Sequence, residues 1–143
     1  MVQMWRRAAI LAALGAVALA VTVIPSAIAD DKNGPSIEEI MKAGHKGKGS
    51  LFAKTQAAVK AGKWEDAHTA AKTLAENGAA LPKHKPHRGS AESWATLAKA
   101  YAENTKAVAD ATEKKDAAAA KTAMSAIGGS CKACHMAHRG KGK

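Results

Sequence analysis

The sequence has few of the side chains that normally build an apolar core. Residues 30–143 contain only ten Ile, Leu, Val and Phe residues, and the whole chain has one Tyr, one Phe and three Trp. Alanine is abundant instead, with 27 residues in the same segment. Because twenty Lys and Arg there face twelve Asp and Glu, the segment carries a net charge of +8, and this composition would ordinarily indicate disorder. Either the segment does not fold alone, or a non-protein group supplies the missing apolar mass.

Length and cysteine content narrow the function classes further. A segment of 114 residues is enough for one small domain, which excludes a multidomain enzyme. The chain has only two cysteines, Cys131 and Cys134, and they lie within four residues of each other. A disulfide between them would close a very small loop and add almost nothing to stability. The pair therefore points to chemistry rather than to a structural cross-link.

The N-terminal segment has the parts of an export signal. A short basic stretch is followed by the apolar run 8–24 and then by an Ala-x-Ala cleavage site. This pattern predicts that residues 1–29 are a signal peptide and that residues 30–143 form the mature, periplasmic domain. Seventeen apolar residues also reach the lower limit for crossing a bilayer, so a membrane-anchored form stays open. Export would bring the thiol pair into an oxidising compartment, where it is oxidised, metallated or chemically capped.

The first predicted helix begins with a capping box. Ser36 is followed three residues later by Glu39, and small or apolar residues then recur at spacings of three and four as far as Gly62. The phase survives the glycine-rich residues 45–50. The pattern therefore predicts one weakened or kinked helix rather than two separate pieces.

Three more helices follow, with short connections. The second is predicted over residues 63–77, where Asn77 and Gly78 supply the stop, and the third runs from the cap Ser90 to about residue 112. The fourth begins at the cap Asp116 and leads towards Cys131. No strand pattern and no internal repeat occurs in the sequence. The predicted fold is all-α, an antiparallel four-helix bundle that ends with the helix carrying both cysteines.

Residues 131–135 read Cys-Lys-Ala-Cys-His, and this C-x-x-C-H run is the attachment signature for c-type haem. On a helix, Cys131, Cys134 and His135 fall on neighbouring stripes of one face. Two thiols can then form thioethers with the two haem vinyl groups while the imidazole reaches the iron. One covalently attached haem c would also supply the apolar mass that the sequence lacks.

Two other uses of the cysteine pair compete with haem attachment. A dithiol oxidoreductase of the thioredoxin type needs a neighbouring strand pattern, which the sequence lacks. A zinc site needs at least two further ligands at matching spacing. His84, His87 and His138 are present, but there is no second C-x-x-C. We interpret His84 and His87 as loop residues and expect His138 to be solvated or to contact a propionate.

Together these features resemble the class II c-type cytochromes, the family of cytochrome c prime and its low-spin four-helix-bundle relatives. The resemblance rests on the export signal, the bundle pattern, the C-x-x-C-H close to the C-terminus and the basic Arg139 four residues after His135. It implies a monohaem one-electron carrier that is not an enzyme and has no catalytic residue. The alternative that it leaves open is a gas-binding protein with five-coordinate iron, as in cytochrome c prime.

The choice between carrier and gas binder depends on the sixth iron ligand. In low-spin members of the resembled family a methionine on the first helix binds the iron opposite the histidine, and Met41 is at the corresponding place. Gly44 and Gly47 are expected to let this helix approach the porphyrin closely. His45, one turn further along, could take the site instead and would give a bis-histidine haem. Met41 could also be a core residue.

The excess of positive charge bears on the partners. In the sequence it is spread over helix surfaces and the tail 139–143 rather than gathered on one recognition helix. This distribution of charge, together with export, argues against nucleic acid as a binding partner. A redox protein partner with an acidic docking surface fits better, and so does a peripheral contact with an anionic membrane. Solubility alone is the alternative, and a homodimer stays open.

Overall fold

The computed structural model describes residues 34–140, and all of their regular structure is helical. The all-α prediction is confirmed for this range, whereas the predicted signal peptide lies outside the described residues. None of the described helices is long and apolar enough to cross a membrane. Five α-helices follow one another, with a 3-10 turn at Leu81–Lys83 after the third: α1 (Ile37–His45), α2 (Leu51–Lys60), α3 (Trp64–Ala80), α4 (Ala91–Glu113) and α5 (Ala117–His138).

The first predicted helix is in fact two helices. The predicted capping box is present, because Glu39 N–H donates to Ser36 Oγ at 3.3 Å and Ser36 N–H donates to Glu39 Oε2 at 2.9 Å. The helix then stops at His45, and Gly47 adopts a φ of +76°, which right-handed helix does not allow. Ser50 begins α2 by accepting a hydrogen bond from Ala53 N–H. The prediction of a single kinked helix was therefore wrong.

The predicted end of the second helix was also wrong. α3 continues through Gly78 to Ala80, and Gly78 is buried inside it. A Cβ atom at this position would overlap Thr105 Oγ1 of α4 and lie 3.2 Å from Thr105 Cβ. Gly78 therefore allows α3 and α4 to cross closely rather than ending the helix.

The starts of the last two helices agree with the predicted caps. Ser90 Oγ accepts a hydrogen bond from Ser93 N–H at 3.2 Å at the start of α4. Asp116 Oδ1 accepts one from Ala119 N–H at 2.9 Å at the start of α5. α4 packs against both α3 and α5, while α1 packs mainly against α2 and α3. The long helix α4 thus lies between α3 and the helix that carries the cysteines.

The core is built from small side chains. Alanines at the contacts between helices are completely buried, among them Ala67, Ala71, Ala98 and Ala120. Alanine adds little apolar area, but it allows helices to approach closely and has the best helix propensity. The larger side chains that are almost fully buried are few: Ile40, Leu74, Leu81, Val108 and Ile127.

Candidate functional site

The two cysteines lie one turn apart near the end of α5, on its inner side. Both thiols are free and half-buried. The Cys131 Sγ donates a hydrogen bond to the carbonyl of Ile127 at 3.2 Å, and Cys134 packs against the hydrophobic core. Burial raises the pKa of the Cys134 thiol, and the neighbouring Cys131 thiolate would raise it further. Cys134 is therefore a neutral thiol at pH 7.

His135 follows directly on the adjacent stripe of α5 and is exposed. Its neighbour Met136 is 66% exposed and is the most exposed large apolar side chain among the described residues. The helical spacing predicted for the motif is present, because α5 runs unbroken to His138. Two thiols and an accessible imidazole are thus available within little more than one helical turn.

His45 of α1 and Tyr101 of α4 form a hydrogen-bonded pair. His45 Nε2 and Tyr101 Oη are 2.8 Å apart, and the two rings meet edge to face with centroids separated by 5.7 Å. Phe52 of α2 lies against the imidazole as well, with a centroid distance of 5.6 Å. The Tyr101 side chain is only 7% exposed. His45 is therefore held from two sides.

Burial shifts the pKa values of both members of this pair. Burial lowers the pKa of His45, and a positive charge on nearby His135 lowers it further. Burial raises the pKa of Tyr101, and the charge of a Cys131 thiolate would add to that. Both side chains are therefore neutral at pH 7.

Met41 lies one turn before His45 on α1. It is half-buried and packs against the hydrophobic core. Since residues four apart share one face of a helix, Met41 and His45 are on the same side of α1. The structure therefore brings both candidate sixth ligands to one face without choosing between them.

The two glycines near Met41 differ in their surroundings. A Cβ at Gly44 would lie 3.4 Å from Leu74 Cδ1 and 3.5 Å from Tyr101 Oη, so Gly44 allows α1 to approach α3 and α4. Gly47 has open space around it and provides the positive φ of the turn after α1. The approach of a porphyrin to these two glycines stays a prediction.

His138 is buried, so the expectation of a solvated side chain was wrong. Only 3% of it is exposed, and its ring lies edge to face on Trp94 at 5.4 Å. Its Nδ1–H donates to the carbonyl of Arg88 at 2.9 Å, and Nε2 is 3.0 Å from Ser93 Oγ. One signal could have shown this in the sequence, since His138 continues the stripe of Cys131 and Cys134.

The loop between the 3-10 turn and α4 packs on the end of α5. Arg88 Nη2 donates to the Met136 carbonyl, and Gly89 is so close to Ala137 that a Cβ there would lie 2.8 Å from its carbonyl oxygen. The sequence has no Asp or Glu between Glu76 and Glu92 and none after Asp116. Exposed cations therefore lie along this loop, on the end of α5 and at the start of the tail. We call this group the basic end: Lys83, Lys85, Arg88, Lys132 and Arg139.

The donor set fits a c-type haem. Thiols for two thioether bonds and an imidazole for the iron lie on α5, and a thioether and a second imidazole lie on α1. α1 packs mainly against α2 and α3, whereas α5 packs against α4 and α2, so these two helices do not interlock with each other. In the described part of the chain, no three His, Cys, Asp or Glu residues are grouped to hold a metal ion by themselves. A zinc site thus has no ligand set within residues 34–140.

Comparison with known proteins gives one match. A scan against models of protein families matches residues 38–139 to the family described as Cytochrome C'. The matched segment extends from the first turn of α1 to Arg139, just beyond α5. A search of curated proteins and a search of solved structures find no match.

Proposed function

This chain belongs to the cytochrome c prime family, and from that premise we propose that it is an exported, periplasmic monohaem c-type cytochrome that carries single electrons. Family membership implies a covalently bound c-type haem. The observation that carries the proposal is the placing of two free thiols and an accessible imidazole on adjacent stripes of α5. When bound, the haem iron supplies the reversible change between two oxidation states.

Cys131 and Cys134 would hold the haem through two thioether bonds. Each thiol adds across one vinyl group, so that the sulfur bonds to one carbon and the hydrogen goes to the other, and no oxidant is consumed. His135 would bind the iron, because it is exposed beside the two sulfur atoms.

Met41 would be the sixth ligand. A thioether is a soft ligand that raises the reduction potential and suits electron transfer. Support comes from the position of Met41 on the face of α1 that also carries His45. If Met41 instead stays packed in the core, the iron is five-coordinate and the chain is a gas-binding protein.

In the haem protein the helices would form a four-helix bundle, in which α1 and α2 together take the place of the first helix. No enzymatic activity is proposed, because an electron carrier needs only its iron, its ligands and a docking surface. The partner would be a redox protein with an acidic surface that meets the basic end. A peripheral membrane contact and a homodimer are further options.

The experiment is intact mass together with optical spectra of protein matured in a host with c-type haem assembly. We expect the mass of residues 30–143 plus one haem, and oxidised and reduced spectra of low-spin iron that does not bind carbon monoxide readily. Met41→Ala should then give high-spin iron that binds carbon monoxide. Met136→Ala, which truncates the exposed methionine of α5, is the matched control and should leave the spectra unchanged.

Each result decides a separate point. A mass equal to the bare polypeptide contradicts haem attachment. A wild-type spectrum that is already high-spin, with ready binding of carbon monoxide, contradicts ligation by Met41 and favours the gas-binding protein.

A further inference from the structure

We propose that Tyr101 is a positioning residue that keeps His45 from binding the haem iron. The inference rests on the proposed haem attachment at α5 but not on ligation by Met41. It assigns a task to the pair formed by the only tyrosine of the chain and the histidine that shares one face of α1 with Met41. Met41 and His45 would then both be available on one face of α1, but only Met41 would bind the iron.

The hydrogen bond occupies the nitrogen that ligation would need. His45 Nε2 is the ring nitrogen further from the backbone, and it is the one that lies 2.8 Å from Tyr101 Oη. The other nitrogen, Nδ1, is next to the backbone of α1, where a flat porphyrin cannot approach it easily. To bind iron through Nε2, the imidazole has to give up the tyrosine.

Tyr101 cannot easily follow the imidazole. It lies in the middle of α4, is 7% exposed and belongs to the buried core. Gly44 leaves room for the hydroxyl above α1, because even a methyl group there would come within 3.5 Å of Oη. The Tyr101 hydroxyl would lose its partner if His45 turned away, and a buried polar group without a partner is unfavourable.

The imidazole is also held on its other side. Phe52 of α2 lies 5.6 Å from the ring, so His45 is enclosed between one aromatic ring from α2 and another from α4. Met41 also packs against the core, but its unbranched thioether can adopt several rotamers. The structure thus fixes one candidate ligand and leaves the other adaptable.

The test compares the haem-loaded wild type with Met41→Ala, Tyr101→Phe and the double variant. Tyr101→Phe removes only the hydroxyl and keeps the ring that packs in the core. In Met41→Ala the tyrosine still holds His45, so the iron should be high-spin and bind carbon monoxide. In the double variant His45 is released, so the iron should become low-spin and bind carbon monoxide at least tenfold more weakly. Tyr101→Phe alone should lower the midpoint potential as imidazole competes with thioether.

A third substitution identifies the ligand. Adding His45→Gln to the double variant should restore high-spin iron, which shows that the new ligand is His45 and no other side chain. Magnetic circular dichroism in the near infrared separates bis-histidine from histidine–methionine ligation directly. A general loosening of the core would not produce a new, defined ligand field.

Two results would overturn the inference. One is bis-histidine ligation in the wild type or in Met41→Ala, because His45 then binds iron with Tyr101 in place. The other is a double variant with the same spin state as Met41→Ala. If the wild type is high-spin, Met41 is not the ligand, and conversion of Tyr101→Phe to low-spin iron becomes the deciding result. Absence of haem from the intact mass instead refutes the proposed function.

Discussion

Ser93 of α4 and His138 of α5 are joined by a hydrogen bond of 3.0 Å between Oγ and Nε2. The carbonyl of Arg88 accepts from the other ring nitrogen, so in the neutral ring the Ser93 hydroxyl donates to Nε2. Both polar atoms of a buried imidazole are thereby satisfied. The contact fixes the last turn of α5, three residues beyond His135, to the start of α4.

Loss of this contact should weaken the fold. We expect His138→Ala to lower the free energy of unfolding of the haem protein by about 2–4 kcal/mol, because it removes a buried ring and leaves two polar groups without a partner. Denaturant unfolding followed by haem absorbance measures the change. His87→Ala, an exposed histidine of the same loop, should change stability by less than about 0.5 kcal/mol. Equal effects of the two substitutions would contradict the structural role of His138.

Two glycines in helices should respond oppositely to alanine. Gly78→Ala places a methyl group against Thr105, so we expect a loss of about 1–3 kcal/mol despite the better helix propensity of alanine. Gly129→Ala adds a methyl group in open space within α5, and it should stabilise by about 0.5–1 kcal/mol. Thermal unfolding of both variants checks the pair, and a stabilised Gly78→Ala would show that α3 and α4 do not cross closely there.

The basic end should control the rate of electron exchange with charged reagents. Replacing Lys85 and Lys132 with glutamate should slow oxidation by an anionic iron cyanide complex roughly tenfold at low salt, and it should speed oxidation by a cationic cobalt complex. The effect should shrink at physiological ionic strength, where charges are screened beyond about 8 Å. The matched control replaces Lys60 and Lys114, which lie outside the basic end, with glutamate. Equal rates for the two double variants would leave the basic end without a role in docking.

The capping box of α1 should make stability depend on pH. Hydrogen bonds from the backbone and then the side chain of Ser36 lower the pKa of Glu39 below 4.5. A carboxyl whose pKa is lower in the folded state stabilises above its unfolded pKa, and this contribution is lost as the pH falls through the folded value. Wild type should therefore have a higher urea midpoint than Glu39→Gln at pH 7, and the difference should vanish in acid. Glu38→Gln, which removes the neighbouring charge without touching the box, should show a smaller difference.

Helix caps, which depend on residues close together in the chain, could be predicted from the sequence. Contacts between residues far apart in the chain could not. The caps Ser36, Ser90 and Asp116 depend on neighbours three residues away, and all three are present in the structure. The prediction for Gly78 was wrong because its partner Thr105 lies on another helix. From the sequence alone, a glycine that allows close helix packing cannot be distinguished from one that ends a helix. His138 was misplaced for the same reason, since its partner on α4 is 45 residues away in the chain.

The break between α1 and α2 shows a different limit. Periodicity records only the phase of apolar residues, and a turn that happens to preserve the phase is invisible to it. The sequence shows a glycine at position 47 and a serine at position 50, which suit the positive φ and the second cap. The same two residues also fit a kinked helix. The candidate haem-binding residues were named from the motif and the resemblance. The pairing of His45 with Tyr101 needed three-dimensional information.

The turn after α1 has a consequence for maturation. α1 has nine residues, fewer than the roughly 12–15 that an isolated helix needs to be even marginally stable in water. It therefore acquires its order by packing on the other helices, as where Gly44 meets Leu74 of α3 and Tyr101 of α4. We expect α1 to be the last helix to order, after the thiols of α5 have reacted. The turn at residues 46–50 would then be the hinge about which α1 packs onto the rest of the haem protein.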